Sequence, residues 1–316
     1  MNVAVMMGGP SGEHDISLKS GHGVTAALAR CGCAVTPVVI SRHVTVERAC
    51  DIARQALQTL APDVVFLALH GPFGEDGTMQ QVCEELHLAY TGSDVRASRM
   101  GMDKVASRRR FEAAGLQVPA WRIIDMTQPR AVVRGLAYPV VVKPSDQGSS
   151  LGVSLVRREE ELQPALEAAG RYSDIVLLEE FVAGREVTVG VLGEEPLPVV
   201  EIRPHHAFFD FSAKYTVGET DYLVPAPLPP AIAARVQADG VAAHRAIGCR
   251  HLSRTDILLR ADGTPVILEV NTIPGFTPTS LVPKAAACAG ISYEALCERL
   301  VMMAAESAHH VAGPTA

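Results

Sequence analysis

Three oxygen-bearing side chains near the C-terminus are spaced for metal binding. Glu269 and Asn271 lie in the stretch LEVNTIPG, separated by one valine, and Asp256 lies in the earlier stretch SRTDILLR. Both stretches are strand-like, the ADGT segment between them predicts a hairpin turn, and alternate side chains of a strand share a face. The three residues would then offer oxygen ligands to a hard divalent cation such as Mg²⁺. The alternative is that they are polar side chains at strand ends that face solvent.

A second candidate site lies in the glycine-rich stretch KPSDQGSSLG, which runs from Lys143 to Gly152 after three valines. The backbone N–H groups of such a turn can converge on phosphate oxygens, while the lysine supplies a fixed positive charge. The stretch lacks the GK[ST] ending of a Walker A motif, and GGPSGEHD near the N-terminus is not a GxGxxG dinucleotide fingerprint. A glycine-serine turn is also common in plain hairpins, so both interpretations stay open.

The first ninety residues predict a sheet whose strand ends could hold a ligand. Short β-rich runs, NVAVMMGG, AVTPVVI and DVVFLALHG, alternate with helical patterns. Such alternation predicts a parallel sheet covered by helices, with ligands at the carboxyl ends of its strands. Gly8-Gly9 and His70-Gly71 fall at these ends.

The pattern changes twice further along the chain, so three domains are predicted. After TGSDVRAS a charged helix leads into YPVVVKPSDQGSSLGVSLV and DIVLLEEFV, and EVTVGVLG and LPVVEI then resume as new strands. We place boundaries near residues 95 and 180, which gives units 1–95, 96–180 and 181–316. The segment 203–229 has little periodicity and exceeds a usual connection, which favours a functional loop.

Composition and charge exclude several classes of protein. The 316 residues are 48% hydrophobic and 5% aromatic, which is typical of an α/β protein rather than a disordered chain. The net charge of -7 is spread over mixed signs, which argues against nucleic-acid and anionic-membrane partners. The run Arg108-Arg109-Arg110 is interpreted as a solvated helix face.

The N-terminus, the apolar runs and the cysteines bear on where the protein works. No apolar run reaches membrane-spanning length, and the N-terminus starts with a strand-like pattern instead of a signal-peptide layout, so a cytoplasmic location is expected. There are seven cysteines, an odd number, and Cys31 and Cys33 have the wrong spacing for a redox CxxC or a zinc site. We interpret the thiols as buried or idle.

Six ordered blocks carry a resemblance to a known family. They are GGPSGEHDISLKSG, HGPFGEDGTMQ, YTGSDVRASRMGMDK, KPSDQGSSLGVS, FSAKYTVGETDY and EVNTIPGFTPTSLVPKAA. In order and spacing they resemble the D-alanyl-D-alanine ligases of the ATP-grasp superfamily over nearly the whole chain. The resemblance implies an α/β ATP-grasp fold of three domains, with an N-terminal Rossmann-like parallel sheet followed by central and C-terminal α+β domains. It also implies ATP and D-alanine as substrates, peptidoglycan precursors as the destination of the product, and a homodimer.

In that family, ATP phosphorylates the carboxylate of one D-alanine, and the amine of a second D-alanine then attacks the acyl phosphate. The resemblance implies that Asp256, Glu269 and Asn271 hold two Mg²⁺ or Mn²⁺ ions against the phosphates. It also implies a set of nucleotide-binding residues. These are Lys104, Lys143, Lys214 and Ser150 at the phosphates, the backbone of Glu179, Glu180, Phe181 and Val182 at the adenine, and Glu186 at the ribose.

The resemblance further assigns residues to the amino-acid substrates and to the transition state. Glu13 would bind the ammonium of the first D-alanine and be linked through Ser149 to Tyr215, with His70 near the same substrate. Arg254 and the Gly275 N–H would bind the oxyanion. Ser280 would bind the carboxylate of the second D-alanine. Without the resemblance, Glu13 would be an early-helix acid that serves its own helix terminus.

Three alternative functions stay open. A ligase that joins D-alanine to D-lactate or D-serine is one, although the SAKY sequence favours an amine as the acceptor. A catalytically silent nucleotide-binding module with the same fold is another. An oxidoreductase built on the N-terminal sheet is weaker, because the GxGxxG fingerprint is missing.

Overall fold

The computed structural model describes residues 1–128, 135, 137–148, 151–205 and 220–311, with side chains up to residue 307. These residues form three β-sheets with helices packed against them. The α/β class and the succession of a parallel sheet and two further sheets are confirmed.

The N-terminal sheet is parallel throughout, as the alternating pattern predicts. Its strands are β1 (Asn2–Gly8), β2 (Ala34–Ile40), β3 (Val64–Leu67) and β4 (Ala89–Tyr90), in the order β2-β1-β3-β4, and its helices are α1 (His14–Arg30), α2 (Val46–Leu60) and α3 (Thr78–Glu85). Val3, Val5 and Met7 of β1 pack into one hydrophobic cluster and Ala4 and Met6 into another. Because both faces are covered, β1 is an almost continuous apolar run.

The second sheet is small and antiparallel. Helices α4 (Val95–Met102) and α5 (Lys104–Ala113) precede it, its strands are β5 (Trp121–Asp125), β6 (Val140–Pro144), β7 (Ser154–Val156) and β8 (Ile175–Glu180), and a 3-10 turn at Glu159–Glu161 leads into helix α6 (Leu162–Gly170). The strand order is β5-β8-β6-β7. Since β6 pairs with β7, the glycine-rich stretch after Lys143 joins two antiparallel strands.

The third sheet carries the predicted metal-binding strands. Its strands are β9 (Arg185–Leu192), β10 (Glu195–Pro196), β11 (Val200–Pro204), β12 (Thr220–Leu223), β13 (Leu252–Leu259) and β14 (Pro265–Asn271), and helix α7 (Pro230–Ile247) packs on it. The main order is β12-β11-β9-β13-β14, with β10 on β9, and every pairing is antiparallel. A Cβ at Gly240 of α7 would lie 2.9 Å from Val189 Cβ, so this helix and β9 touch without room for a larger residue.

The last two helices return to the N-terminal sheet. After α8 (Leu281–Cys288), helix α9 (Tyr293–Val311) packs against α1, β3 and β4. Leu296 and Leu300 of α9 share one hydrophobic cluster with Val5 and Met7 of β1. The two ends of the chain therefore build a common core. No helix in the described residues is long and apolar enough to cross a membrane.

The interpretation of Arg108-Arg109-Arg110 as one solvated face is wrong for Arg108. Arg109 and Arg110 are exposed, but Arg108 is 0% exposed and is among the largest fully buried side chains of the protein. It points between the second and third sheets, where it meets the Glu179 carboxylate at the end of β8 and the backbone of β14. Burial is possible because the carboxylate and the carbonyl oxygens compensate the guanidinium.

Candidate active site

A cleft of about 680 Å³ opens where the end of the N-terminal sheet faces β13 and β14. This volume is in the usual range for small-molecule sites. Many of the predicted site residues line it: Glu13, His70, Lys104, Glu186, Arg254, Asp256, Glu269, Asn271, Gly275 and Ser280. Residues from both ends of the chain thus meet in one cavity.

The predicted hairpin of β13 and β14 is confirmed. The strands are antiparallel neighbours, with Asp256 opposite Glu269 and Arg254 opposite Asn271. The register shifts between Asp256 and Ile257, so a bulge lies directly beside the cleft. Bulges are common next to functional sites because they redirect side chains.

Asp256 is held by donors on both of its oxygens. Arg254 donates from Nε to Oδ1 at 2.8 Å and from Nη2 to Oδ2 at 2.7 Å. Thr188 Oγ1 donates to Oδ1 at 2.8 Å, and Asn271 Nδ2 donates to Oδ2 at 3.0 Å. Burial opposes the charged form of Arg254, but the Asp256 carboxylate outweighs it and raises the pKa of the guanidinium. Arg254 is therefore a permanent, fixed cation in the cleft.

The donor set at this hairpin fits a hard divalent cation that also binds phosphate. It offers two carboxylates and one carboxamide, and since Nδ2 of Asn271 is used for Asp256, its Oδ1 would be the ligand atom. Within the described part of the chain there is no group of three or more His, Cys, Asp or Glu residues placed for a metal. A cation here would complete its coordination with substrate phosphates and water, as Mg²⁺ usually does.

His70 is buried at the end of β3 with a defined orientation. Its Nε2 lies 2.9 Å from Ser20 Oγ, and its Nδ1 lies 3.3 Å from the Ile273 carbonyl and 3.5 Å from Glu75 Oε1. Because Nδ1 faces two acceptors, it carries the proton, and Nε2 accepts from Ser20. The ring thereby ties α1 to the turn that follows β14.

Glu75 belongs to the cleft although the sequence assigned it no role. Burial raises the pKa of its carboxyl above the ordinary value, with His70 opposing the shift and Glu13 adding to it. The residue lies in the quoted block HGPFGEDGTMQ, in the tight turn where the N–H of Glu75 donates to the Gly71 carbonyl at 2.9 Å. A buried acid beside a second acid is a sign of a functional site.

Glu13 lies directly before α1, and its carboxylate reaches across to the turn after β3. An ideal Cβ at Gly71 would be 2.5 Å from Glu13 Oε2, and one at Gly148 would be 3.9 Å away. Gly71 also has φ of +72°, a conformation that glycine tolerates best. Glycine at position 71 thus leaves room for the Glu13 side chain in the cleft.

Gly275 and Ser280 lie side by side in the turn between β14 and α8. Ser280 Oγ is 3.4 Å from the position of a Cβ on Gly275, and it accepts the Thr277 N–H at 3.0 Å. Ser280 is the N-cap residue of α8. The turn therefore places a backbone N–H, a hydroxyl and a helix N-terminus next to the cleft, which suits an anionic group.

Two of the predicted phosphate lysines are described, and they differ in their surroundings. Lys104 lines the cleft, and its Nζ donates to the Gln147 carbonyl at 2.5 Å. Lys143 Nζ lies 2.5 Å from Glu179 Oε2. Burial lowers the pKa of Lys143, with Glu179 opposing the shift and Arg108 adding to it. Burial would raise the pKa of Glu179, but Arg108 and Lys143 together hold it below the ordinary value.

The predicted adenine strand ends beside this charge cluster. Glu180 N–H donates to the Ala120 carbonyl at 2.8 Å and Phe181 N–H to the Pro139 carbonyl at 3.2 Å, so an adenine would have to use other backbone groups. Phe181 is 37% exposed, which leaves its ring accessible for stacking, and Val182 is buried. Glu180 also pairs with Arg260 of the β13–β14 turn at 2.6 Å.

Four predicted site residues, Ser149, Ser150, Lys214 and Tyr215, lie outside the described residues. Of the functional loop predicted at 203–229, only residues 203–205 and 220–229 are described.

Three residues that line or support the cleft were not predicted as site residues: Thr188, Tyr222 and Lys284. Thr188 of β9 supports Asp256 from a strand that is remote in the sequence. Lys284 Nζ lies 4.4 Å from the centre of the Tyr222 ring, and both residues line the cleft. Lys284 follows Ser280 by four residues on α8, so helical spacing from Ser280 could have indicated it.

Comparisons with known proteins agree with this site. A family profile described as D-ala D-ala ligase C-terminus matches residues 110–302, and one described as D-ala D-ala ligase N-terminus matches residues 45–93. The chain is 44% identical to the D-alanine–D-alanine ligase of Syntrophotalea carbinolica over 300 residues, which is 95% of this chain and 94% of the relative.

Two solved structures are also similar. One is a D-alanine–D-alanine ligase from Bacillus anthracis complexed with ATP, with a TM-score of 0.84, 30% identity, and coverage of 98% of this chain and 99% of the other. The second is the VanG D-Ala:D-Ser ligase from Enterococcus faecalis, with a TM-score of 0.83, 29% identity, and coverage of 96% and 99%. By the profile matches and by identity over nearly its whole length, the chain belongs to the D-alanine–D-alanine ligase family of ATP-grasp enzymes.

Proposed function

We infer that this chain joins two D-alanines to D-alanyl-D-alanine at the expense of ATP, as a supplier of peptidoglycan precursors. The observation that carries the inference is the cleft, where Arg254, Asp256, Glu269 and Asn271 of one hairpin face Glu13 from the start of the chain. A carboxylate of D-alanine takes the γ-phosphoryl group and ADP leaves. The amine of the second D-alanine then attacks the acyl carbon, phosphate leaves, and the amine loses a proton.

The nucleotide occupies the side of the cleft near β14. Lys104 and Lys143 bind phosphate oxygens, together with Lys214 and the Ser150 turn. The backbone of Glu179, Glu180, Phe181 and Val182 binds the adenine, and the ring of Phe181 stacks on it. Glu186 binds the ribose.

Asp256, Glu269 and Asn271 would hold two Mg²⁺ or Mn²⁺ ions. When bound, such ions would neutralise the negative charge of the nucleotide phosphates. Thr188 and Arg254 keep the Asp256 carboxylate in one orientation, which pre-organises the site before the nucleotide arrives.

The first D-alanine lies between the N-terminal sheet and Arg254. Glu13 binds its ammonium group and, with Ser149 and Tyr215, fixes the orientation of the substrate. Arg254 and the Gly275 N–H stabilise the oxyanion that forms when the second amine attacks. Exclusion of water from this cleft protects the acyl phosphate from hydrolysis.

The second D-alanine lies on the other side, with its carboxylate at Ser280 and the N-terminus of α8. His70 lies near the first D-alanine, and its hydrogen bond to the Ile273 carbonyl also holds the turn that carries Gly275. We further propose that the enzyme is a homodimer and that it works in the cytoplasm, where ATP is available.

A D-alanyl-D-serine ligase is the second candidate, favoured by the structural similarity to the VanG ligase. The two are separated by a competition assay in which the protein, ATP and Mg²⁺ are given equal D-alanine and D-serine, and the products are identified by mass. Our proposal expects D-alanyl-D-alanine as the main product. A mixture dominated by D-alanyl-D-serine would replace it with the second candidate, and no dipeptide with either acceptor would refute both.

A further inference from the structure

The buried arginine of helix α5 joins three parts of the nucleotide side of the cleft. Arg108 Nε donates to Glu179 Oε1 at 2.9 Å, and its Nη2 lies 2.8 Å from the same oxygen. Its Nη1 donates to the Ile267 carbonyl at 3.3 Å and also to the Leu268 carbonyl. One side chain thus connects the end of β8 with the part of β14 that directly precedes Glu269.

The carboxylate of Glu179 is shared between two cations. Arg108 holds Oε1, and Lys143 Nζ lies 2.5 Å from Oε2. Within the buried triad of Arg108, Glu179 and Lys143, two cations share one carboxylate, and Glu269 acts on Lys143 from outside the triad. If Glu179 had only Lys143 as its partner, the pair would be neutral, and a phosphate would have to compete with the carboxylate for the ammonium group.

We propose that Arg108 is a positioning residue for ATP, which neutralises Glu179 so that the charge of Lys143 remains available to a nucleotide phosphate. This inference rests on the proposed function, because it takes Lys143 as a phosphate ligand. Arg108 does not line the cleft and is fully buried, so it acts through Glu179 and Lys143 and not by contact with the substrate.

Local electrostatics support this role. Arg108 opposes the protonated form of Lys143, while Glu179 and the more weakly acting Glu269 favour it and raise the pKa of the ammonium. An anionic phosphate near Lys143 would relieve the repulsion between the two cations. A phosphate that reaches Lys143 would therefore meet an ammonium whose nearest carboxylate, Glu179, is already compensated by Arg108.

A matched set of variants separates this role from a merely structural one. Arg108→Met removes the charge and leaves a neutral Lys143–Glu179 pair. Arg108→Met combined with Glu179→Gln leaves Lys143 as the one charged member of the triad, and it retains the backbone of residue 179, through which Glu179 is assigned to the adenine. Arg109→Met is the control, since Arg109 is exposed on the same helix.

The measurement is the Kd of a non-hydrolysable ATP analogue with Mg²⁺ in the absence of D-alanine, followed by the KM for D-alanine. We expect Arg108→Met to raise the Kd by at least about tenfold, since removal of one partner of a buried charge cluster is costly. The KM for D-alanine should stay within about twofold, because the amino acids bind away from this cluster. The double variant should recover to within about fivefold of the parent Kd.

Several results would overturn the proposal: an unchanged Kd in Arg108→Met, a parallel rise of the KM for D-alanine, or a double variant as weak as the single one. If Arg108→Met does not fold, the double variant alone tests the proposal. A Kd of the double variant more than about fivefold above the Kd of the parent would then contradict it. Phosphate release by the parent with D-alanine is measured alongside. A parent that releases none refutes the proposed function, whereas an active parent with unaffected variants refutes only the role of Arg108.

Discussion

Among single residues, Asp256 shows most clearly how the site is prepared. Its two oxygens receive hydrogen bonds from Arg254 on the same strand, from Thr188 on β9 and from Asn271 on β14. Such a carboxylate cannot rotate freely, and its charge is maintained by the adjacent guanidinium. Glu269 lies opposite Asp256 in the strand pair. A substitution of Glu269 therefore tests metal binding while the hydrogen bonds to Asp256 are retained.

We predict that Glu269→Gln lowers kcat by at least about 100-fold, because it removes a charged ligand that balances phosphate charge in the transition state. The drop should shrink only partly when Mg²⁺ is raised. Asp262→Asn serves as the control, since Asp262 lies on the turn of the same hairpin and away from the cleft. Equal kcat values for parent and Glu269→Gln across a Mg²⁺ titration would exclude Glu269 as a ligand.

Gly71→Ala should disturb the first D-alanine site. The new Cβ would lie 2.5 Å from Glu13 Oε2, so the carboxylate must move. We expect the KM for the first D-alanine to rise by about tenfold or more, since a displacement of this size disrupts substrate orientation. Gly115→Ala is matched to it, with φ of +76° and no atom within 4 Å of the new Cβ. If both variants keep the parent KM, Glu13 does not hold the substrate.

The sequence predicted the residues of the cleft better than their environments. Asp256, Glu269 and Asn271 could be placed together because strand alternation and a hairpin turn determine their positions. Arg108 was misjudged because a triple-arginine run is usually solvated, and only the neighbouring sheets decide which arginine faces inward. Glu75 was missed because its burial depends on a loop whose path periodicity does not describe.

At the scale of elements, one buried carboxylate connects two strands of the third sheet. Glu201 of β11 is 3% exposed and pairs with Arg185 of β9 at 2.6 Å and with Arg203 at 3.0 Å. The hydrogen bond from Arg185 is the main reason that the pKa of Glu201 lies below its ordinary value of 4.5. The pair with Arg185 joins the adjacent strands β9 and β11, on the face of the sheet opposite to the one that carries Glu186.

We predict that Glu201→Gln lowers the Tm by about 2–4 °C at neutral pH, a change that corresponds to roughly 1 kcal/mol. Because the folded-state pKa is lowered, the carboxylate stabilises the protein above pH 4.5 and loses this effect as the pH falls through the folded-state value. The difference between parent and variant should therefore shrink below pH 4.5. Thermal unfolding at several pH values checks this.

The control for this prediction is Glu194→Gln. Glu194 forms a pair with Arg245 at 2.5 Å in which both side chains are more than 60% exposed, so its loss should change the Tm little at any pH. A pH-independent difference for Glu201→Gln would contradict the assignment of the effect to ionisation.

The sequence predicted the elements of the first sheet but not the strand order of the third. The parallel strands of the first sheet and the helices between them agree with the alternation of β-rich and helical runs. The order β12-β11-β9-β13-β14 did not follow, because strand neighbours in an antiparallel sheet are chosen by long-range packing and not by local pattern.

At the scale of the whole molecule, the cleft exists because the chain returns to its start. Helix α9 shares a hydrophobic cluster with β1, and the turn before α8 brings Gly275 and Ser280 to the ends of β1 and β3. Tyr293 of α9 donates its hydroxyl to the Phe276 carbonyl at 2.7 Å and so holds this turn. No local sequence pattern predicts this closure, since it joins residues almost 300 positions apart.

The central claim is that this cleft uses ATP to activate the carboxylate of D-alanine. The most direct test is to supply D-alanine labelled with ¹⁸O in its carboxylate, together with ATP and Mg²⁺, and to measure the label in the released phosphate by mass spectrometry. Attack of the carboxylate on the γ-phosphorus, followed by loss of phosphate to the second amine, predicts that each phosphate carries one ¹⁸O atom from D-alanine. Phosphate released without the label would mean that ATP is hydrolysed by water in the cleft, and the account of acyl-phosphate formation would be wrong.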